Sequence, residues 1–166
     1  EGRWQEWKDS PQKRMNYCIA TDTINSQIAI FGGRDNSVYM NDIWSYDFKS
    51  ENWYFMYTTG VKPSPRAYSS CFFLNNQLHV ISGFDGSQLL NEMWIFSNSS
   101  WTSHSINFLK MAGGAHVYKN SAYFFGGIDK KGVSGEVWQY SLPTVASTGK
   151  FASVGAWSLV EPVKGY

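Results

Sequence analysis

The 166-residue sequence is poor in cysteine, with only Cys18 and Cys71. Two cysteines exclude a disulfide-stapled miniature scaffold and a four-cysteine zinc site. Charge of either sign is scarce as well. Lys and Arg number 14 against 13 acidic residues, a formal net charge of +1. Dedicated binders of nucleic acid or anionic membranes carry a basic excess, so neither partner is expected. No apolar run approaches the roughly 20 residues of a spanning helix. Glu1-Gly2-Arg3-Trp4 has no signal-peptide pattern and no initiating Met, so the chain reads as processed or as a piece of something longer. There is no GxSxG elbow, Walker loop or dinucleotide fingerprint. There is no His-x-x-x-His or Cys-x-x-Cys spacing, and His79, His104 and His116 read as ordinary strand residues. The sequence therefore offers no catalytic residue, metal site or cofactor.

Aromatic residues are abundant, at 17%, with eight Trp, ten Tyr and eleven Phe. Such side chains suit a pleated, half-buried surface. They are also periodic. Ile30-Phe31-Gly32-Gly33 recurs as Val80-Ile81-Ser82-Gly83 and as Phe124-Phe125-Gly126-Gly127. Eleven residues after each last Gly stands a Trp: Trp44, Trp94, Trp138. An aromatic follows two residues later, at Tyr46, Phe96 and Tyr140, and an acid precedes each Trp by two, at Asp42, Glu92 and Glu136. A second Trp closes each unit at Trp53, Trp101 and Trp157, and Trp4-Gln5-Glu6-Trp7 resembles the end of an earlier unit. The units are 50 and then 44 residues apart.

Each unit reads as four strands. An apolar run, a polar turn such as Asn75-Asn76-Gln77, a second run into the small-residue pair, a loop, the Trp-x-aromatic strand and a closing strand follow in order. Repetition of four strands at this period marks propeller blades. The expected class is all-β, with blades at about 11–57, 63–106 and 110–160 and an outer strand of a preceding blade at 1–10. Acids beside buried rings require partners, which backbone N–H groups or a blade-opening Arg can supply.

These residues, with Pro65-Arg66-x-Tyr68 and the looser Arg14 and Tyr17, resemble the kelch-repeat β-propellers. Ser82 in place of the first Gly, Lys110 in place of an opening Arg, and an insertion from Pro143 to Gly155 depart from the pattern. Propellers have about four to eight blades, so three blades imply part of a larger ring. The remaining blades would come from the same longer chain or from a second copy.

The resemblance implies a non-catalytic adaptor or scaffold that binds a protein or peptide partner on the face carrying the loops between second and third strands. Carried over by position, the candidates are Arg34, Asp35 and Asn36; Phe84, Asp85 and Gln88; and Ile128, Asp129, Lys130 and Lys131. At the blade openings they are Lys13, Arg14, Arg66, Tyr68 and Lys110. Arg and Lys suit carboxylates, and an exposed Phe84 would anchor an apolar side chain. The alternatives are a propeller enzyme with an axial pocket, such as a sugar isomerase or a metal-dependent lyase, and a structural subunit of a large assembly. Cys18 and Cys71 read as small buried hydrophobes, because a disulfide needs Cα atoms within about 7 Å and different blades need not provide that. Low cysteine content and the lack of a signal-peptide pattern favour an intracellular, cytoplasmic setting. Asn98-Ser99-Ser100 is a glycosylation sequon that also reads as turn chemistry.

Overall fold

The computed structural model describes residues 11–142 and 155–161. The expected strand at 1–10 lies outside the described residues, as does the insertion apart from Gly155. The described chain is all-β. Three four-stranded antiparallel sheets follow one another: β1 to β4 (Cys18–Asp22, Gln27–Phe31, Ile43–Asp47, Asn52–Phe55), then β5 to β8 (Ser70–Leu74, Gln77–Ile81, Glu92–Ser97, Ser100–Ser105). The third comprises β9 (Gly114–Tyr118), β10 (Ser121–Phe125), β13 (Val137–Ser141) and β14 (Ala156–Leu159). A short hairpin, β11 (Ile128–Asp129) and β12 (Gly132–Val133), sits in the third sheet's long loop.

The register explains the sequence spacing. The first Trp of each unit lies opposite the residue two before its small-residue pair: Ile30↔Trp44, Val80↔Trp94, Phe124↔Trp138. The closing Trp lies opposite the aromatic: Tyr46↔Trp53, Phe96↔Trp101, Tyr140↔Trp157. The rings of these three pairs stand 5.3, 5.1 and 5.1 Å apart. Cross-strand aromatic pairs of this kind stabilise a sheet beyond the area they bury.

The sheets stack with β1 against β5 and β5 against β9, so the first strands share one inner edge. Cys18, Phe31 and Ile43 pack on Cys71, Val80, Trp94 and Trp101, forming one core. Phe72, Ile81, Met93 and Ile95 pack on Phe108, Phe124 and Tyr140, forming the second. The middle sheet is thus buried on both faces, and β5, β6 and β7 carry apolar residues at consecutive positions rather than alternate ones.

The cysteines require a correction. Both are buried, as expected of small hydrophobes, but they are not free thiols. Their Cα atoms are 5.7 Å apart across the β1–β5 contact, and they are joined as a disulfide. Blade identity was the wrong guide to distance, because adjacent blades bring their inner strands side by side.

The departure at Ser82 has a local cause. Gly32 and Ser82 both adopt left-handed backbone, with φ +63° and +56°. A Cβ on Gly32 would meet the Arg66 carbonyl at 2.6 Å and that of Met40 at 3.1 Å. At Ser82 the corresponding carbonyls are those of Lys110 and Leu90, and the Ser82 hydroxyl is hydrogen-bonded to both, at 2.7 Å from Leu90. The single hydroxyl proton is shared between the two carbonyls, and the same oxygen accepts the Lys110 N–H at 3.2 Å.

Candidate partner-binding face

The loops at residues 32–42, 82–91 and 126–136 emerge at one end of the sheets, together with the connections between blades. Each loop is bridged to the segment that opens its own blade: Met15↔Arg34, Ala67↔Phe84, Met111↔Ile128. Neighbouring blades are also tied at this end. The Gly33 N–H donates to the Arg66 carbonyl at 2.9 Å. Nearer the axis, Tyr68 N–H donates to Asn16 and Ala112 N–H to Tyr68, each at 2.8 Å. Asn16, Tyr68 and Ala112 share left-handed φ values of 56°, 59° and 56°. The Tyr68 backbone therefore links all three blades, and its side chain is half-buried.

The blade-opening cations are built into the blades. Arg14 grips Asp42 through two bonds of 2.7 and 2.9 Å and reaches the Gly32 carbonyl at 3.0 Å. Arg66 is 0% exposed and donates to Glu92 at 2.6 Å, with further bonds to Ser64 and the Ser82 carbonyl. Lys110 reaches Glu136 at 3.0 Å and Asp129 at 3.7 Å, and it also bonds Ser134. Each acid takes the indole N–H of its Trp, at 2.8, 2.7 and 3.0 Å. Cation, acid and indole thus form one unit in every blade. A charge-assisted pair is strong where water is excluded. Burial pulls the Arg66 pKa below the usual guanidinium range while Glu92 opposes it. Lys110 and the Trp138 indole hold the Glu136 carboxyl below the usual range. Arg14 and Arg66 were expected among the partner contacts. Their side chains are 4% and 0% exposed and already hydrogen-bonded within the blade.

The loop acids shape the loops. Oδ1 of Asp35 accepts the N–H groups of Ser37 and Val38 at 2.8 Å each, and Oδ1 of Asp85 those of Ser87 and Gln88 at 2.8 Å each. These bonds hold both carboxyls below the ordinary range. Asp129 accepts the Lys131 N–H at 2.7 Å. Such side-chain-to-backbone bonds are the usual work of Asp in turns.

The other candidates remain open to solvent. Asn36, Gln88, Lys130 and Lys131 are exposed, as is Lys13. Arg34 is half-buried, and its Nε has no partner among the described residues. Phe84 is not a free ring. It is half-buried and stands edge-on to Tyr39, with centroids 6.3 Å apart. Sequence reasoning missed Tyr39, which joins the first and second loops and crowds Gly86, itself in left-handed backbone at φ +101°. A Cβ on Gly86 would lie 3.0 Å from the Tyr39 ring. The signal was an aromatic at Tyr39 where the second unit has Leu89, since the bridges Arg34↔Tyr39 and Phe84↔Leu89 correspond. Also missed was a cavity of about 300 Å³ beside the third loop. Phe108 and Trp138 form its apolar wall, and Lys130 and Lys131 stand at its rim.

A second cavity, of about 340 Å³, lies along the inner strands and is lined by residues that include Ile19, Thr21, Cys71, Phe72 and His116. His116 is the one titratable side chain in its lining. Among the described residues, no three His, Cys, Asp or Glu side chains cluster as metal ligands would.

Four-stranded sheets stacked about a common inner edge, each locked by a cation–acid–indole unit, define blades of a β-propeller. The chain belongs to the kelch-repeat family: the profile of the KLHDC2/KLHL20/DRC7 Kelch-repeats domain matches residues 3–144. No curated protein matches the chain significantly. Kelch-repeat domains generally mediate protein–protein interaction and are generally not enzymes.

Proposed function

We propose that the domain is a non-catalytic interaction module that holds a partner peptide across its loop face. The supporting observation is a division of labour among the polar groups of that face. Arg14, Arg66 and Lys110 are committed to their own blades, and Asp35, Asp85 and Asp129 to loop backbone or to Lys110. Arg34, Asn36, Lys130 and Lys131 have no such duty among the described side-chain bonds and face solvent at least in part, and Gln88 is exposed while its side chain also bonds Asp85. The Tyr39–Phe84 pair and the Phe108–Trp138 wall supply apolar anchorage beside them. A peptide that combines carboxylates with an apolar side chain fits this chemistry. In the same reading the three blades belong to a larger ring, completed by further blades of a longer chain or by a second copy. The face left for them is the outer side of the third sheet, where Tyr118 is 61% and Phe125 46% exposed.

The test is selection of a random peptide library on the 166-residue chain, followed by titration of the selected peptides in rising salt. The expected peptides are acidic with an apolar residue, and their affinity falls as salt screens Lys130, Lys131 and Arg34. Selection of basic peptides, or binding indifferent to salt, overturns this reading.

A further inference from the structure

We propose that Asn98 carries an N-linked glycan and that the chain folds in an oxidising, secretory compartment. Asn98-Ser99-Ser100 is the sequence's one Asn-x-Ser/Thr tripeptide. It forms the tight turn between β7 and β8, with φ +49° at Asn98 and +61° at Ser99, and all three residues are exposed. Asn-Ser suits this turn, because Asn tolerates left-handed backbone. The turn's bonds are made by its backbone and by Ser100: the Thr59 N–H and hydroxyl donate to the Ser99 carbonyl at 2.8 and 3.2 Å, and the Ser100 hydroxyl donates to the Ser97 carbonyl at 3.1 Å. The Asn98 side-chain amide has no hydrogen-bond partner among the described residues. A sugar on Nδ2 therefore leaves the turn's bonds intact.

The second observation is independent. Cys18 and Cys71 form a disulfide between the inner strands of adjacent blades. Structural disulfides form and persist in oxidising compartments, the setting in which N-glycans are added to surface sequons. The disulfide thus supplies the context that a tripeptide alone lacks, and it replaces the intracellular setting that low cysteine content favoured. The position is permissive too. The β7–β8 turn lies at the end of the sheet opposite the loop face, so a glycan there leaves that face uncovered.

The glycan's anomeric carbon moves from a polyisoprenyl diphosphate carrier to Nδ2. Its C–O bond to phosphate breaks, a C–N bond forms, the amide loses one proton, and the diphosphate leaves. The two thiols lose two protons and two electrons to a disulfide-bearing oxidoreductase, whose own disulfide is reduced to a dithiol.

The test uses the protein isolated from its own cells. Free thiols are alkylated, the chain is digested without reduction, and glycans are released by an amidase in heavy-oxygen water. The expected products are an Asp at position 98 labelled with heavy oxygen, and the Cys18 and Cys71 peptides still joined. Ser100→Ala, expressed in the same cells, loses the label, and Ser100→Thr keeps it. Unmodified Asn98, alkylated Cys18 and Cys71, or a label that survives Ser100→Ala overturns the proposal.

Discussion

Arg66 and Glu92 form an ion pair of 2.6 Å in which the guanidinium has no contact with solvent and the carboxylate also holds the Trp94 indole. Removing the cation strands a partly buried carboxylate and the Ser82 carbonyl together. Arg66→Ala is expected to destabilise the domain by about 3 kcal/mol, read by urea denaturation. Arg66→Lys is expected to lose less, since Lys110 performs the same task in the third blade. An Arg66→Ala variant within about 0.5 kcal/mol of wild type would contradict this, because that is the range of ordinary surface changes.

Ser82 makes a second, sharper prediction. Its hydroxyl bonds the Leu90 and Lys110 carbonyls from a left-handed backbone position. Ser82→Ala keeps the Cβ in the crowded space and removes the donor, and is expected to cost about 2 kcal/mol. Ser82→Gly loses the same bonds but relaxes the backbone, so it is expected to cost about 1 kcal/mol less. Thermal denaturation of the two variants gives the order, and a more stable Ala variant would contradict the account.

His79 ties stability to pH. It is 0% exposed, stacked on Phe72 at 4.7 Å and set against Tyr140 at 5.7 Å. Its Nδ1 lies 3.0 Å from the Gln77 carbonyl, and Nε2 has no partner among the described residues. Burial pushes its pKa down to about 4, with the Gln77 bond opposing and His104 adding a small further depression. The unfolded chain takes up this proton as pH falls through about 6.5, whereas the folded chain resists until about 4. Its contribution is therefore complete above about 6.5 and lost as pH falls. Between pH 7.5 and pH 5 the expected loss is about 2 kcal/mol. His79→Phe is expected to flatten the denaturation midpoint over that range, and an unchanged slope would contradict the assignment.

The sequence carried the blades because their repeat is a register. The eleven- and thirteen-residue spacings are the lengths that set Trp94 opposite Val80 and put Phe96 on the strand beside Trp101. Any fold with that pairing must repeat them. The partnership of acid and opening cation was legible too, since a carboxylate beside a buried ring needs a donor. Burial of the cations was not, because the letters of Arg66 and Lys130 do not say which stem runs into the sheet and which into water. The cysteine pair was hidden for a related reason. Cys18 and Cys71 are 53 residues apart, and only the stacking of inner strands brings them together. Phe84 was read as an exposed ring because the repeat fixes the position of Tyr39, matched by Leu89 in the second unit, but not that the Tyr39 ring crosses to the neighbouring loop.

The loop-face reading is tested most directly by comparing two sets of variants against one selected peptide, by fluorescence anisotropy. Phe84→Ala and the Lys130→Ala/Lys131→Ala double variant alter the loop face, and Asn76→Ala alters the exposed turn at the opposite end. The account predicts at least about tenfold weaker binding for Phe84→Ala, a clear loss for the lysine pair, and no change for Asn76→Ala, each read at a temperature well below that variant's own thermal midpoint. Full binding by the loop-face variants, with loss at Asn76→Ala, would contradict it.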